Sequence, residues 1–138
     1  MNRKQTLKLA SWFLGLALST GFWNANSQQT APTENKGLTV KPLASFDLGP
    51  EIEGMGGRQL RTRMLTLEPG GVVGIHNHKD RPDTAYVLQG KVTEHKSGVA
   101  KEWSAGETFS GNKETTHWAE NKGTTPVILI VTDVFKQP

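Results

Sequence analysis

Apolar and polar positions along this chain fall into short alternating runs, and no segment beyond residue 37 keeps the period of about 3.6 residues that marks a helix. Leu38–Phe46 is the first candidate strand. Gln59–Leu67 (QLRTRMLTL) alternates strongly and stops at Glu68-Pro69-Gly70-Gly71. Val72–His78 (VVGIHNH) follows, with a turn over Lys79–Pro82. Thr84–Leu88 leads through Gln89-Gly90 to Lys91–His95, and Ser97-Gly98 turns the chain. Ala100–Trp103, Thr108–Phe109 and His117–Glu120 are shorter candidates. Pro126–Phe135 (PVILIVTDVF) is the longest apolar run, which predicts a strand covered on both faces. Seven or eight such strands between glycine- and proline-rich turns, in about 100 residues, predict one all-β domain, a sandwich or a barrel. Alternation alone leaves an immunoglobulin-like sandwich and a jelly roll both open.

The start of the chain breaks this pattern. Arg3, Lys4 and Lys8 precede an uncharged, mostly apolar stretch from Leu9 to Trp23, and small residues follow at Ala25 and Ser27. That layout predicts a secretory signal peptide over residues 1–27 with Gln28 as the new terminus, and a periplasmic or secreted destination. The apolar stretch is short of the roughly 20 residues that span a bilayer, so no stable membrane anchor is expected after cleavage. The n-region resembles a twin-arginine export signal with Lys4 in place of the second arginine; ordinary unfolded export is the simpler reading. Residues 28–37 (QQTAPTENKG) read as a flexible leader, and 38–138 as the domain.

Composition gains its meaning from this division. The 138 residues carry a formal charge of +3 and a pI near 9.3, a balance that suits a nucleic-acid binder. All the excess lies in the signal segment, however, and the chain beyond residue 27 has thirteen basic residues against thirteen acidic ones. No nucleic-acid partner is expected. The absence of cysteine excludes disulfides, thiol catalysis, cysteine-ligated metal sites and a lipidated terminus.

The four histidines carry the chemistry. His76 and His78 stand two apart on a candidate strand and therefore share a face, which makes them a natural half of a metal site. Parity does not settle whether that face is inside. Reading outward, Gly70 precedes His76-Asn77-His78, Asp83 and Gly90 follow, and Gly106, His117 and Asn121 come later. This spacing, over residues 70–121, resembles the two motifs of the cupin superfamily, with Asp83 in the place of a glutamate and Asn112 and Glu114 replacing a proline and a glycine. It is most similar to small single-domain bacterial cupins. The resemblance implies a jelly-roll β-barrel of about 7–10 short strands around a divalent transition metal (Fe, Mn, Ni or Zn). His76, His78, Asp83 and His117 are the implied ligands.

Aspartate is one methylene shorter than glutamate, so Asp83 reaches the metal only if its strand shifts, and Arg81 is a competing partner for it. Glu94 and Asp80 are understudies, and His95 reads as an exposed strand histidine. Tyr86, Trp118, Phe109 and Met64 are candidates to wall the cavity. Arg61 and Arg63 share parity with Leu65 and Leu67; they read as basic residues of a solvated edge strand, or, if that face is interior, one of them as a partner for an anionic substrate. Thr115-Thr116 is a candidate to brace a ligand histidine, and Asn121 to serve a turn.

The implied function is an exported metal-binding cupin that acts on or binds a small organic molecule, as a metal-dependent dioxygenase-like enzyme if it is an enzyme at all. No catalytic acid, base or nucleophile stands out. A non-catalytic ligand- or metal-binding module is the alternative, and a vestigial barrel serving dimerisation a third. A homodimer is expected, with Pro126–Phe135 offering apolar surface for it. Metal binding is expected to weaken below about pH 6, where free imidazoles protonate.

Overall fold

The computed structural model describes residues 29–136. The expected signal peptide lies outside the described residues. Eight strands make up the fold: β1 (Lys36–Asp47), β2 (Arg58–Asn77), β3 (Asp83–Gln89), β4 (Lys91–Lys96), β5 (Val99–Ser104), β6 (Thr108–Gly111), β7 (Thr116–Glu120) and β8 (Val127–Lys136). Every pairing is antiparallel. The strands run in the order β5-β4-β7-β2-β8-β3-β6, with β1 added on β2, and the sheet curls into a nearly closed jelly-roll barrel. Among the described residues there is no helix.

β2 organises the barrel. Its first half, Arg58–Leu67, pairs with β8, and its second half, Val72–Asn77, pairs with β7. The expected stop at Glu68–Gly71 is instead a bend within one long strand. The ladder survives the bend because Gly70 N donates to Asn121 O and Asn121 N donates to Gly71 O. The Asn121 side chain donates to Leu67 O and Thr125 O and accepts from Gly123 N, so it holds the turn before β8 as expected. The Ser97-Gly98 turn joins β4 to β5 with both residues at positive φ, 51° and 77°, the geometry that matches the twist of a two-residue hairpin.

The core is the inward face of these strands: Leu65 and Leu67 from β2, Ala85 and Val87 from β3, Val92 from β4, Ala119 from β7, and Val127, Leu129 and Val131 from β8. Burying a side chain such as Leu67 or Val87 stabilises the fold by roughly 1.5–3 kcal/mol each. β8 alternates between buried and half-buried positions, so only one of its faces is core; the run is continuously apolar because its outer face is apolar as well. Arg61 and Arg63 lie on the inward face with Leu65, and β2 is flanked by β1 and β8 there, so the edge-strand expectation does not hold.

The leader is also placed differently from its expectation. Pro32 O accepts from Ile75 N at 2.7 Å, and Asn35 Oδ1 accepts from Gly74 N at 2.9 Å, so residues 32–35 are strapped across β2 rather than free. The strap fits because position 74 is glycine: a Cβ there would lie 2.6 Å from Thr33 O.

Candidate metal centre

β2 carries a bulge between Val73 and His76: Val73 faces Ala119 and His76 faces His117, so three steps on β2 match two on β7. The extra residue lets Val73 pack against the core and His76 still face inward, three positions later. His117 projects from β7 directly opposite His76. His78 follows the end of β2 and is fully buried, its backbone N–H donated to Thr115 O. Thr115 thus braces His78 through its carbonyl, while its hydroxyl donates to Asn112 Oδ1.

The three imidazoles converge at their Nε2 atoms. His78 Nε2 lies 2.8 Å from His117 Nε2, and His117 Nε2 lies 3.1 Å from His76 Nε2. Each Nδ1 is turned toward an acceptor instead: Gly74 O at 2.8 Å for His76, Arg81 O at 3.1 Å for His78, and Glu94 Oε1 at 2.6 Å for His117. A neutral imidazole has one proton, and these acceptors place it on Nδ1 in all three rings. Three bare nitrogen lone pairs then face one another and repel unless a cation sits among them. Two nitrogens about 2.1 Å from one ion, at right angles, are about 3.0 Å apart, which the observed separations match. The residues fit a metal.

The acids hold the rings from behind. Asp83 Oδ1 lies 3.3 Å from His78 Nδ1 and accepts from Gly111 N at 2.9 Å. The group of converging ligand atoms contains His76, His78 and His117, and Asp83 is not brought into it. Its short side chain reaches the far side of the His78 ring. Glu94 is likewise behind His117, and its other oxygen accepts from Trp103 Nε1 at 2.9 Å, so a Trp–Glu–His chain fixes that ring. Gly111 was invisible as a site residue in sequence, yet a Cβ there would lie 2.6 Å from His78 Cγ and 2.8 Å from Asp83 Oδ1. Only glycine lets β6 pass this close.

Burial sets the protonation states. It pushes the His76 pKa down to about 4, against a hydrogen bond to Gly74 that opposes the shift, and it lowers that of His78. Burial raises the Asp83 carboxyl, partly offset by His78 and the Gly111 amide. Glu94 is lowered: burial works against this, but the hydrogen bonds from His117 and Trp103 outweigh it. His76 is therefore neutral and available to a metal well below neutral pH, and His78 is shifted in the same direction.

A cavity of about 370 Å³ opens over His76 and His117, within the range of small-molecule sites. Its walls are mostly apolar and include Leu65, Phe109 and Leu129, with Thr33 and Asn35 of the strap at its edge. Phe109 is the one expected wall residue found there. Tyr86 is on the outside, because Ala85 and Val87 take the inward positions of β3. Met64 alternates outward between Arg63 and Leu65. Trp118 stacks on His95 at 3.7 Å between ring centroids, and His95 Nε2 is 2.7 Å from Glu120 Oε1, so that pair packs and pins β4 to β7. Asp80 is exposed beside Arg58 and takes no part in the site.

An antiparallel barrel with three converging histidines at the mouth of its interior defines a class of small β-barrel proteins built around an internal site. Residues 63–133 match the cupin domain family, and the chain belongs to it. No curated protein matches the sequence significantly. Among solved structures, KdgF from Halomonas sp. is similar, with a TM-score of 0.58, 19% identity, and coverage of 73% of this chain and 82% of that one. An RmlC-like cupin from Shewanella frigidimarina gives 0.54, 24%, 74% and 83%. A predicted oxalate decarboxylase from Thermotoga maritima gives 0.51, 20%, 70% and 93%. At these identities the likeness concerns the fold.

Proposed function

We propose that this protein is an exported cupin that holds one divalent transition metal on His76, His78 and His117 and takes a small organic molecule into the cavity beside it. The convergence of three Nε2 atoms, each ring locked at Nδ1 by a separate acceptor, is the observation that carries the reading. A metal bound there supplies Lewis-acid polarisation and, if iron or manganese, redox capacity, the basis of oxygenase-like activity on a chelating substrate. Asp83 and Glu94 hold the rings, the apolar walls exclude water, and the strap of residues 32–35 narrows the entrance. Export is supported by the basic, then apolar, then small-residue order of residues 1–27.

The test is elemental analysis of the protein recovered from the exported fraction of its own host. The expected result is roughly one first-row metal ion per chain, a terminus at Gln28, and loss of the metal in His117→Ala with the fold retained. A metal-free exported protein that cannot be loaded with iron, manganese, nickel or zinc overturns the reading.

A further inference from the structure

The inward ends of β2 and β8 hold more positive charge than their acids use. Asp133 on β8 is 1% exposed. Arg61 grips both its oxygens, Nε to Oδ1 at 3.0 Å and Nη2 to Oδ2 at 2.8 Å, and stacks on Phe135 with its carbon 3.6 Å from the ring centre. That two-pronged pair already satisfies the carboxylate. Yet Arg63 Nη2 also donates to Oδ2 at 3.0 Å, and Arg81 Nε lies 3.5 Å from the same atom. Among the described residues the other acid at this cluster is Asp83, which is occupied by His78 and the Gly111 amide. Three guanidinium groups therefore stand against two committed carboxylates at a partly buried end of the barrel, where such an excess is screened less than in open water.

The excess is directional. Arg61 is not at the cavity, whereas Arg63 and Arg81 line it together with His76 and His117. Arg63 has one donor, Nε, that is buried and lacks any acceptor. Arg81 has no hydrogen-bonded acceptor for its guanidinium among the described residues, and its side chain is 33% exposed. The guanidinium groups that line the cavity are therefore the ones in excess.

We propose that Arg63 and Arg81 form the anion-binding end of the cavity, so that the site takes a small organic carboxylate: its charged group on the two guanidinium groups, its apolar body along Leu65, Phe109 and Leu129, and its far end against the histidines. The proposal rests on the reading of this cavity as the small-molecule site and names its ligand class. A planar carboxylate matches the guanidinium fork and offsets the excess charge.

Two probes of equal shape and different charge test it: 4-fluorobenzoate and 4-fluorobenzamide, titrated by fluorine NMR against the metal-loaded protein, with acetate and acetamide as competitors. The acid is expected to bind about 10-fold or more tightly than the amide, the worth of a charge-assisted pair. Arg81→Gln abolishes that preference, and Arg81→Lys keeps part of it. Arg63→Gln acts in the same way and is read beside its unfolding midpoint, since it also loosens Asp133. In His117→Ala the metal is lost but the preference for the acid remains, so a protein that selects carboxylates without ever holding metal refutes the metal reading alone. Equal affinity for acid and amide, no binding of any carboxylate probe, or full preference retained in Arg81→Gln overturns the proposal.

Discussion

His76 shows what burial does to a residue whose identity alone suggests a different number. Its free imidazole titrates near 6.5, the source of the expectation that metal binding fades below about pH 6. Inside the barrel its pKa is about 4, and that of His78 is lowered too, both chiefly by burial. The sign for stability follows. Between 6.5 and about 4 the unfolded chain binds protons that the folded, metal-free protein refuses, so stability falls as pH falls and the loss levels off below about 4. Glu94, held below the usual glutamate value, adds a loss in the same direction at lower pH. Asp83 opposes: its folded pKa is raised, so its contribution is present at low pH and lost as pH rises through the folded value. His76, whose shift is the large one, sets the sign. The metal-free protein is expected to show an unfolding midpoint that drops between about pH 7 and pH 5, with a shallower drop in His76→Ala. A midpoint flat across that range in thermal unfolding by circular dichroism contradicts the burial argument.

At the scale of elements, spacing carried the strand inventory and the histidine set, because alternation and the intervals between His76, His78 and His117 are properties of consecutive residues. Two things escaped it. One is the bulge on β2: alternation assigns Val73 and His76 to opposite faces, and only the mismatch with β7 brings both inward. The other is which way Arg61 and Arg63 face, left open between edge and interior, since it depends on Asp133, 70 or more residues away. The leader illustrates the same limit. Its polar composition reads as loose chain, yet two backbone amides of β2 hold it, Ile75 N on Pro32 O and Gly74 N on the Asn35 side chain. Gly74→Ala tests that attachment, because a Cβ 2.6 Å from Thr33 O must push the strap away. The Ile75 amide, which donates to Pro32 O, is expected to exchange its hydrogen faster in the variant. The barrel is expected to lose only about 1–3 kcal/mol. Unchanged exchange at Ile75, followed by mass spectrometry, would show that the strap does not depend on the glycine.

For the whole molecule, the distribution of apolar surface matters more than any single contact. The core is small and lies inside the barrel, yet the opposite side of the same sheet is also apolar. The register aligns Met64 with Ile130 and Ile130 with Tyr86 on this outer side, with Phe46 opposite Leu60 further along. Phe46 is 53% exposed, Tyr86 42% and Leu88 51%. A sheet face of this kind, rather than scattered single residues, marks an interaction surface. The occupant we propose is a second copy of the chain. Threonines and Lys41, which lies opposite Met64, border this apolar patch, and a two-fold axis through it would bring the same patch of both copies together. The protein is therefore expected to run at twice the chain mass in size-exclusion chromatography with light scattering. Tyr86→Lys combined with Leu88→Lys should run as a single chain, since both positions are exposed and the barrel needs neither for its core. That variant should also keep its metal, because the triad is complete within one chain. A wild-type protein that stays monomeric, or a double variant that stays dimeric, would mean that this face is not where copies meet.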